Sequence, residues 1–400
     1  MLVATYDPTD PGFQEDPYPL LARLREEDPL HLTPDGIQVV TRYSDVRALL
    51  RESACVREFP ARRYALSGRG GATAQSFARA IVSRDPPAHT RLRGLLSPPF
   101  TPGAARALRA TVETLVDTLF DEAEARHGAV IDIMRDVADR LPYLVNCVVL
   151  GLPTAEYRTL APWVTAIEDA SVPSPPPEAV LASDRAIEAL RDYLTPFFLG
   201  HRRPDPDGLL ARLAGTDHTG SGFSRDELVD NAIGLFPAGA ETVTGLIGNL
   251  VWLLAGDPEQ WDLVRRDPAA RPRAIEEALR FESPINVAYR WATAEVTVDS
   301  GVITGGRVLV LSLAAANRDP RVFAHPDRFD CRPTGRTPNV AFGSGRHVCL
   351  GAHLARLQGE AVLDRLLRRY PGLQLAGAPV RKPSVELRCL QRLPVRLARH

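Results

Sequence analysis

The residue type with the richest chemistry sits near the C-terminal end, in Ala341-Phe342-Gly343-Ser344-Gly345-Arg346-His347-Val348-Cys349-Leu350-Gly351. Cys349 follows a loop with two glycines and precedes a strongly helical run. A thiolate at the start of a helix is favoured by the helix dipole and by free backbone N–H groups. Glycines let the backbone turn sharply and come close to something flat and large. That pattern suits a metal or cofactor ligand better than a structural thiol.

Three further groups carry candidate chemistry. His89 and Arg93 lie four residues apart on a helix announced by Asp85-Pro86-Pro87, so they share a face that suits an anion or is simply solvated. Pro237-Ala238-Gly239-Ala240-Glu241-Thr242 interrupts a long apolar run. There the proline removes the bond to the carbonyl of Ile233, and the glycine costs about 1 kcal/mol more. Glu241 and Thr242 then stand side by side where burial penalises them. A tolerated kink with Thr242 bonded back to its own helix is one account. The coincidence of kink, small residues and polar pair favours a functional one. Lastly, Glu277 and Arg280 are spaced to pair on one helix face.

For Cys349 three readings compete. A buried structural thiol would need no glycine loop. A zinc site could draw on His347, Cys349 and His353, but no CxxC spacing supports it and residues 347 and 349 sit awkwardly for one tetrahedral ion. A haem thiolate would need glycines for porphyrin approach and cationic groups for two propionates, which His89, Arg93, Arg290 and His347 could supply.

The elements that must position these residues are mostly helical. Asp16–Asp28 reads as a short amphipathic helix, followed by β-like pieces at Leu30–Leu32 and Ile37–Thr41 and a helix over Ser44–Glu52. Residues 53–84 read as irregular, a candidate lid containing Arg57, Arg62, Arg63 and the tract Ser67–Gly71. Helices follow over 102–150, with a break near His127-Gly128, and over 153–200, where the connector Ser171–Pro177 divides them. Arg202–Gly222 reads as a connection with a short helix. Ser224 and Glu227 have capping-box spacing and start a long helix to about Ala255, apolar nearly all round and therefore central. Two shorter helices fill 257–280, strands are expected at 292–298, 308–313 and 385–399, and an amphipathic helix spans 350–369.

A hydrophobic fraction of 44% and a charged fraction of 24% are those of a soluble globular chain. The net charge of -1 gives no argument for nucleic acid or an anionic membrane. The N-terminus lacks a basic region before an apolar run, and five scattered cysteines argue against a disulfide framework. A cytoplasmic setting follows. The α-rich and β-rich parts show no linker between them, so one domain over 1–400 is expected, of mainly α with smaller β (α+β) class.

The motifs taken together resemble a known family. Phe342 to Gly351 is similar to the haem-binding signature FxxGx(H/R)xCxG of the cytochromes P450. Glu277-Ala278-Leu279-Arg280 resembles that family's ExxR, with Arg328 the third member of its Glu-Arg-Arg triad. Ala238 to Thr242 resembles the oxygen-activation motif (A/G)Gx(D/E)T. The stretches 85–93 and Ala316-Asn317-Arg318-Asp319-Pro320 resemble segments common in bacterial members, so the resemblance runs from about residue 16 to the C-terminus.

The resemblance implies the P450 fold, with a long central helix over haem b (iron protoporphyrin IX) and a cysteine-ligand loop beneath it. It implies Cys349 as the iron ligand and His89, Arg93, Arg290 and His347 as propionate holders. Phe342, Gly343, Gly351, Ala238 and Gly239 become cofactor contacts, Thr242 and Glu241 act in oxygen activation and proton delivery, and Glu277, Arg280 and Arg328 are structural. Ala238, Ile285, Asn286, Val287, Leu390 and Gln391 are the candidate substrate contacts. The implied activity is monooxygenation of a small organic substrate with O2, in natural-product tailoring. Electrons would come from a ferredoxin and its reductase docking near Arg346, with no nucleic-acid or membrane partner and a monomeric state. Oxidative coupling, cyclisation or peroxide-driven oxidation on the same scaffold is the alternative, and a non-catalytic haem sensor or carrier lacks its expected signature, loss of the acid–threonine pair. Pro237 and Val243 depart from the usual flanks of the oxygen motif, and Pro237 predicts a groove held open permanently.

Overall fold

In the computed structural model, which describes residues 5–60, 71–170, 175–216, 222–332 and 337–398, the apolar run forms one helix, Arg225–Gly256. Ser224 Oγ accepts the Glu227 N–H at 3.1 Å, which is half of the expected capping box. The Glu227 carboxylate is engaged instead by both of its oxygens with Arg91. By length and composition this helix could cross a bilayer, but 72% of its most apolar stretch is buried, as a core helix demands. It continues through Pro237 as a single helix, and the proline has no N–H to offer the carbonyl of Ile233.

Contacts divide the chain into two compact units. The first contains Met1–Val56, Val116–Ala138 and Thr242–His400; the second contains Arg57–Leu115 and Asp139–Glu241.

The first unit holds the strands. β1 (Leu30–Leu32), β2 (Gln38–Val40), β3 (Cys55–Val56), β5 (Val287–Ala292) and β8 (Arg307–Ser312) form a sheet in the order β1-β2-β8-β5-β3. Only the β2–β8 pair is parallel, with Val39 opposite Val310. Alternation sends Val39, Val287 and Val310 into one apolar cluster with Leu21 and Leu24, and Val40, Ala292, Leu309 and Leu311 into another with Val46 and Leu49. β4 (Val130–Asp132), β9 (Gly372–Leu375) and β12 (Pro394–Ala398) make a second sheet, β4-β12-β9. β6 (Val296–Val298) pairs with β7 (Gly301–Ile303), and β10 (Val380–Arg381) with β11 (Leu390–Arg392).

Three boundaries differ from the sequence reading, the strand expected at 385–399 being two, β11 and β12, in different sheets. The strand expected at 292–298 is two, because β5 ends at Ala292 and β6 starts at Val296. The break after His127 contains β4, which three residues of exposed-buried alternation are too short to announce.

The second unit is helical. Gly71–Arg79 is a helix inside the stretch read as irregular, and several polar contacts fasten it. Ser76 Oγ donates to the buried Asp230 at 2.8 Å, Arg79 pairs with the same carboxylate at 3.0 Å, and Arg191 also bonds to it. Thr73 N–H donates to Asp184 at 2.8 Å. Helices Tyr157–Asp169 and Pro177–Phe198 pack side by side through Leu160, Val164, Ile187 and Leu190, all fully buried. Arg62, Arg63, most of the Ser67–Gly71 tract and the start of the Ser171–Pro177 connector lie outside the described residues.

Candidate functional site

The site is built first on the cysteine loop of the first unit. Gly343 N–H closes a turn onto the Val340 carbonyl at 2.8 Å, and the short 3-10 turn Gly345–His347 follows. Gly345 has φ +73°, and a Cβ there would stand 2.8 Å from the Leu50 carbonyl oxygen and 3.0 Å from Arg51 Cα. Backbone cannot yield to that, so no other residue fits. Cys349 N–H then donates to the Phe342 carbonyl at 2.9 Å, and helix Ala352–Arg369 begins three residues on. Its inward residues are Leu354, Leu357, Val362 and Leu366, as periodicity requires.

Of the five cysteines, Cys349 alone is exposed. Burial, aided by Glu52, pushes the Cys55 thiol up to about 11, with Arg290 and Arg346 opposing. Burial likewise pushes Cys147 up to about 12. These are inert structural thiols. Cys349 lies beside Val348, an exposed large hydrophobic residue, and a Cβ on Gly351 would meet no atom within 4 Å. An accessible thiol with an exposed apolar neighbour and open space at Gly351 fits a large flat hydrophobic cofactor. Among the described residues, no three His, Cys, Asp or Glu side chains gather to hold a metal ion, which removes the zinc reading of His347, Cys349 and His353.

The loop rests on helix Ala270–Phe281 through two adjacent carboxylates. Glu277 takes a bidentate pair from Arg280 at 2.7 and 2.8 Å and also accepts the Asp330 N–H at 3.0 Å. Arg280 spends its remaining donors on the carbonyls of Asn317, Pro326 and Arg328, at 3.0, 2.7 and 2.9 Å. Arg328 meets Arg280 through its backbone carbonyl, and its side chain is exposed.

Glu276 was not singled out by sequence, yet it holds the loop more directly. It binds Arg356 Nε at 2.5 Å and Asn339 Nδ2 at 3.1 Å, while Asn339 Oδ1 accepts the Ala341 N–H at 3.1 Å. The Arg356 guanidinium lies 4.5 Å from the centre of the Phe342 ring. Asn317 Oδ1 accepts the Val340 N–H at 2.7 Å, and its amide donates to Ser283 Oγ at 2.8 Å. The signals were present but weak: a second Glu beside the ExxR, and an Asn inside a stretch already noted.

Arg290 is buried on β5, on the face shared with Ala288 and Ala292, and Nη1 donates to the Tyr289 carbonyl at 2.8 Å. His347 is half-buried in the 3-10 turn. In the second unit, His89 is buried and Arg93 half-buried on helix Ala88–Leu96. The Asp85 carboxylate that precedes them accepts the N–H groups of Arg57 and Glu58 at 2.6 and 2.8 Å. Arg57 itself donates Nε to the Val82 carbonyl at 2.8 Å.

On the long helix, Gly234, Ala238, Glu241 and Thr242 are exposed or half-buried, while Phe236, Ala240 and Val243 behind them are buried. Spacings of four, seven and eight residues put the accessible set on one face. Asn146, also missed by sequence, explains Gly239. Its Nδ2 donates to the Phe236 carbonyl at 3.2 Å, and a Cβ on residue 239 would lie 2.7 Å from its Oδ1.

The candidate substrate residues divide. Ala238 and Gln391 are exposed and Ile285 is half-buried. Asn286 is buried, and its Oδ1 has no hydrogen-bond partner. Val287 is committed to the apolar cluster with Leu21 and Leu24, and Leu390 is buried near Gly248, so neither offers the surface expected of it.

Comparison with known proteins agrees with this geometry. The family model for cytochrome P450 matches residues 272–381. Cytochrome P450 107B1 of Saccharopolyspora erythraea is 35% identical over 97% of this chain and 96% of its own length. The 6-deoxyerythronolide B hydroxylase of the same organism is 34% identical over 96% of this chain and 97% of its own. The crystal structure of CalO2 superposes with a TM-score of 0.92 at 32% identity, covering 99% of this chain and 100% of that one. The chain belongs to the cytochrome P450 family. It is an enzyme of the P450 monooxygenase class with the mixed fold of that family, and the cofactor of the family is haem.

Proposed function

We propose that this chain is a haem-thiolate monooxygenase that hydroxylates or epoxidises a polyketide-type natural product, using haem b, O2 and two electrons delivered from outside. The observation that carries the reading is the single exposed cysteine, Cys349, on a glycine loop that leads into helix Ala352–Arg369. Cys349 is the iron ligand, with Phe342, Gly343 and Gly351 around it. His89, Arg93, Arg290 and His347 hold the propionates by charge-assisted hydrogen bonds. Bound haem with a thiolate ligand supplies O–O cleavage, one oxygen atom going to substrate and the other to water.

The accessible face of the long helix supplies the protons. Glu241 takes protons from water, and Thr242, whose hydroxyl both donates and accepts, hands them on. Ala238 and Gly239 leave room beside them. Ala238, Ile285, Gln391 and the free Oδ1 of Asn286 meet the substrate. A macrolide-like skeleton is supported by the hydroxylase relative named for 6-deoxyerythronolide B. Electrons come from a ferredoxin and its reductase, docking near Arg346, and the enzyme works as a cytoplasmic monomer.

The test is the spectrum of the reduced, carbon-monoxide-bound protein, followed by a macrolactone library screened for substrate-induced spin shifts. A thiolate-type band and a shift with at least one macrolactone are expected. A band of the histidine-ligated type refutes the ligand assignment, and shifts only with unrelated small aromatics refute the substrate class.

A further inference from the structure

We propose that the Glu276–Arg356 pair is an electrostatic tuner of the haem potential, acting on the cysteine ligand through the Phe342 ring. The inference rests on Cys349 being the iron's thiolate.

A continuous chain of contacts carries it. The Arg356 guanidinium lies 4.5 Å from the centre of the Phe342 ring, a cation–π distance. The carbonyl of that same residue accepts the Cys349 N–H at 2.9 Å. The guanidinium is held over the ring by Glu276, through Nε at 2.5 Å and Nη2 at 3.3 Å. Glu276 is fixed in turn by Asn339, whose amide also bonds to its backbone carbonyl at 3.2 Å. The pair is part-buried, with side chains 32% and 44% exposed, so its field is weakened by water but not abolished.

Geometry separates this pair from its neighbour. Glu277 and Arg280 face away into carbonyls at 317, 326 and 328 and serve as a buried pin. Glu276 and Arg356 instead place a positive charge directly on the aromatic ring of the loop that carries the thiolate. The negative partner, Glu276, meets the guanidinium at Nε and Nη2. A cation on the ring of the ligand loop favours the more electron-rich ferrous state, so Arg356 raises the ferric/ferrous potential and Glu276 opposes it. Arg356 and Glu276 are positioning and tuning residues here, since neither touches the reacting atoms.

The two charges have opposite signs but share one structural job, and the test exploits this. The one-electron potential of the haem-loaded, substrate-free protein is measured by spectroelectrochemistry for Arg356→Gln, Glu276→Gln, Arg356→Lys and the double variant Glu276→Gln/Arg356→Gln. The expected result is a negative shift for Arg356→Gln and a positive shift for Glu276→Gln. Arg356→Lys stays close to the parent, and the double variant lies between the single ones. Shifts of the same sign in both single variants, or none in either, overturn the proposal and leave the pair a mechanical brace. If Arg356→Gln fails to retain haem, Glu276→Gln against Arg356→Lys decides the sign alone. Loss of the thiolate-type carbon-monoxide band in the parent protein would refute the ligand assignment instead, a result distinct from unmoved potentials beneath an intact band.

Discussion

The support of the cysteine loop and the middle of the long helix are held in opposite ways. Beneath the loop, Glu276, Glu277, Arg280, Asn317, Asn339 and Arg356 form a network in which the donors of Arg280 are all satisfied by carboxylate or carbonyl oxygens. Around residues 237–240 of the helix the side chains are small, and the bond from Asn146 to the Phe236 carbonyl secures the turn before Gly239. Charges buried at low dielectric are costly to leave unpaired, so the first region is fixed in one arrangement. The second carries its polar pair, Glu241 and Thr242, half-buried beside small residues. A rigid support beneath the proposed ligand and a small-residue face proposed for oxygen and substrate would suit a family whose members share a cofactor.

The largest effect expected from breaking the contrast is at the ligand. Cys349→Ala should abolish the thiolate-type spectrum and all turnover while leaving the helical circular dichroism unchanged, because the exposed thiol supports no packing. Next, Arg280→Ala should destabilise the chain by about 3–5 kcal/mol, the cost of leaving a buried carboxylate unpaired, read as a lower denaturant midpoint and poor haem retention. Thr242→Ala and Glu241→Gln should do the reverse. Turnover should fall by about 10²-fold or more with peroxide released instead of product, while stability stays within about 0.5 kcal/mol. A collapse in stability there would erase the distinction between the regions.

Gly239→Ala should displace Asn146 and cost about 1–3 kcal/mol, with a larger loss in coupling of electrons to product than in haem affinity. The smallest effect is on pH dependence. Folding raises the Cys55 and Cys147 thiols from 9.0 to about 11 and about 12. Each contribution is intact below pH 9, where the unfolded thiol is also neutral, and is lost as pH climbs through 9 to 11 and beyond. Denaturant midpoints should fall over that range, and less steeply in a Cys55→Ala/Cys147→Ala variant.

Much of the fold was legible because its elements bury continuous apolar stripes. The helices 225–256 and 352–369 and the hairpin of β1 and β2 were read to within about three residues. Elements held by hydrogen bonds were not. Helix Gly71–Arg79 docks through Ser76, Arg79 and Thr73, and β4 is three residues that only a C-terminal partner makes a strand. Val287 shows the same limit at the site, since its side of β5 is set by register against β8 and cannot be counted from its own neighbours.

What the sequence by itself determined is the chemistry. A cysteine between a glycine turn and a helix, an acid beside a hydroxyl, and a Glu three residues before an Arg are local patterns whose meaning survives without coordinates. Tertiary structure decided which groups share the work. It placed Arg356 on the ring of Phe342, brought the Arg328 carbonyl to Arg280, set Asn146 over Gly239 and left the Cys349 thiol open while closing over the others. Those partners lie up to 93 residues apart, from Asn146 to Gly239, and only the packing of separate helices brings them together.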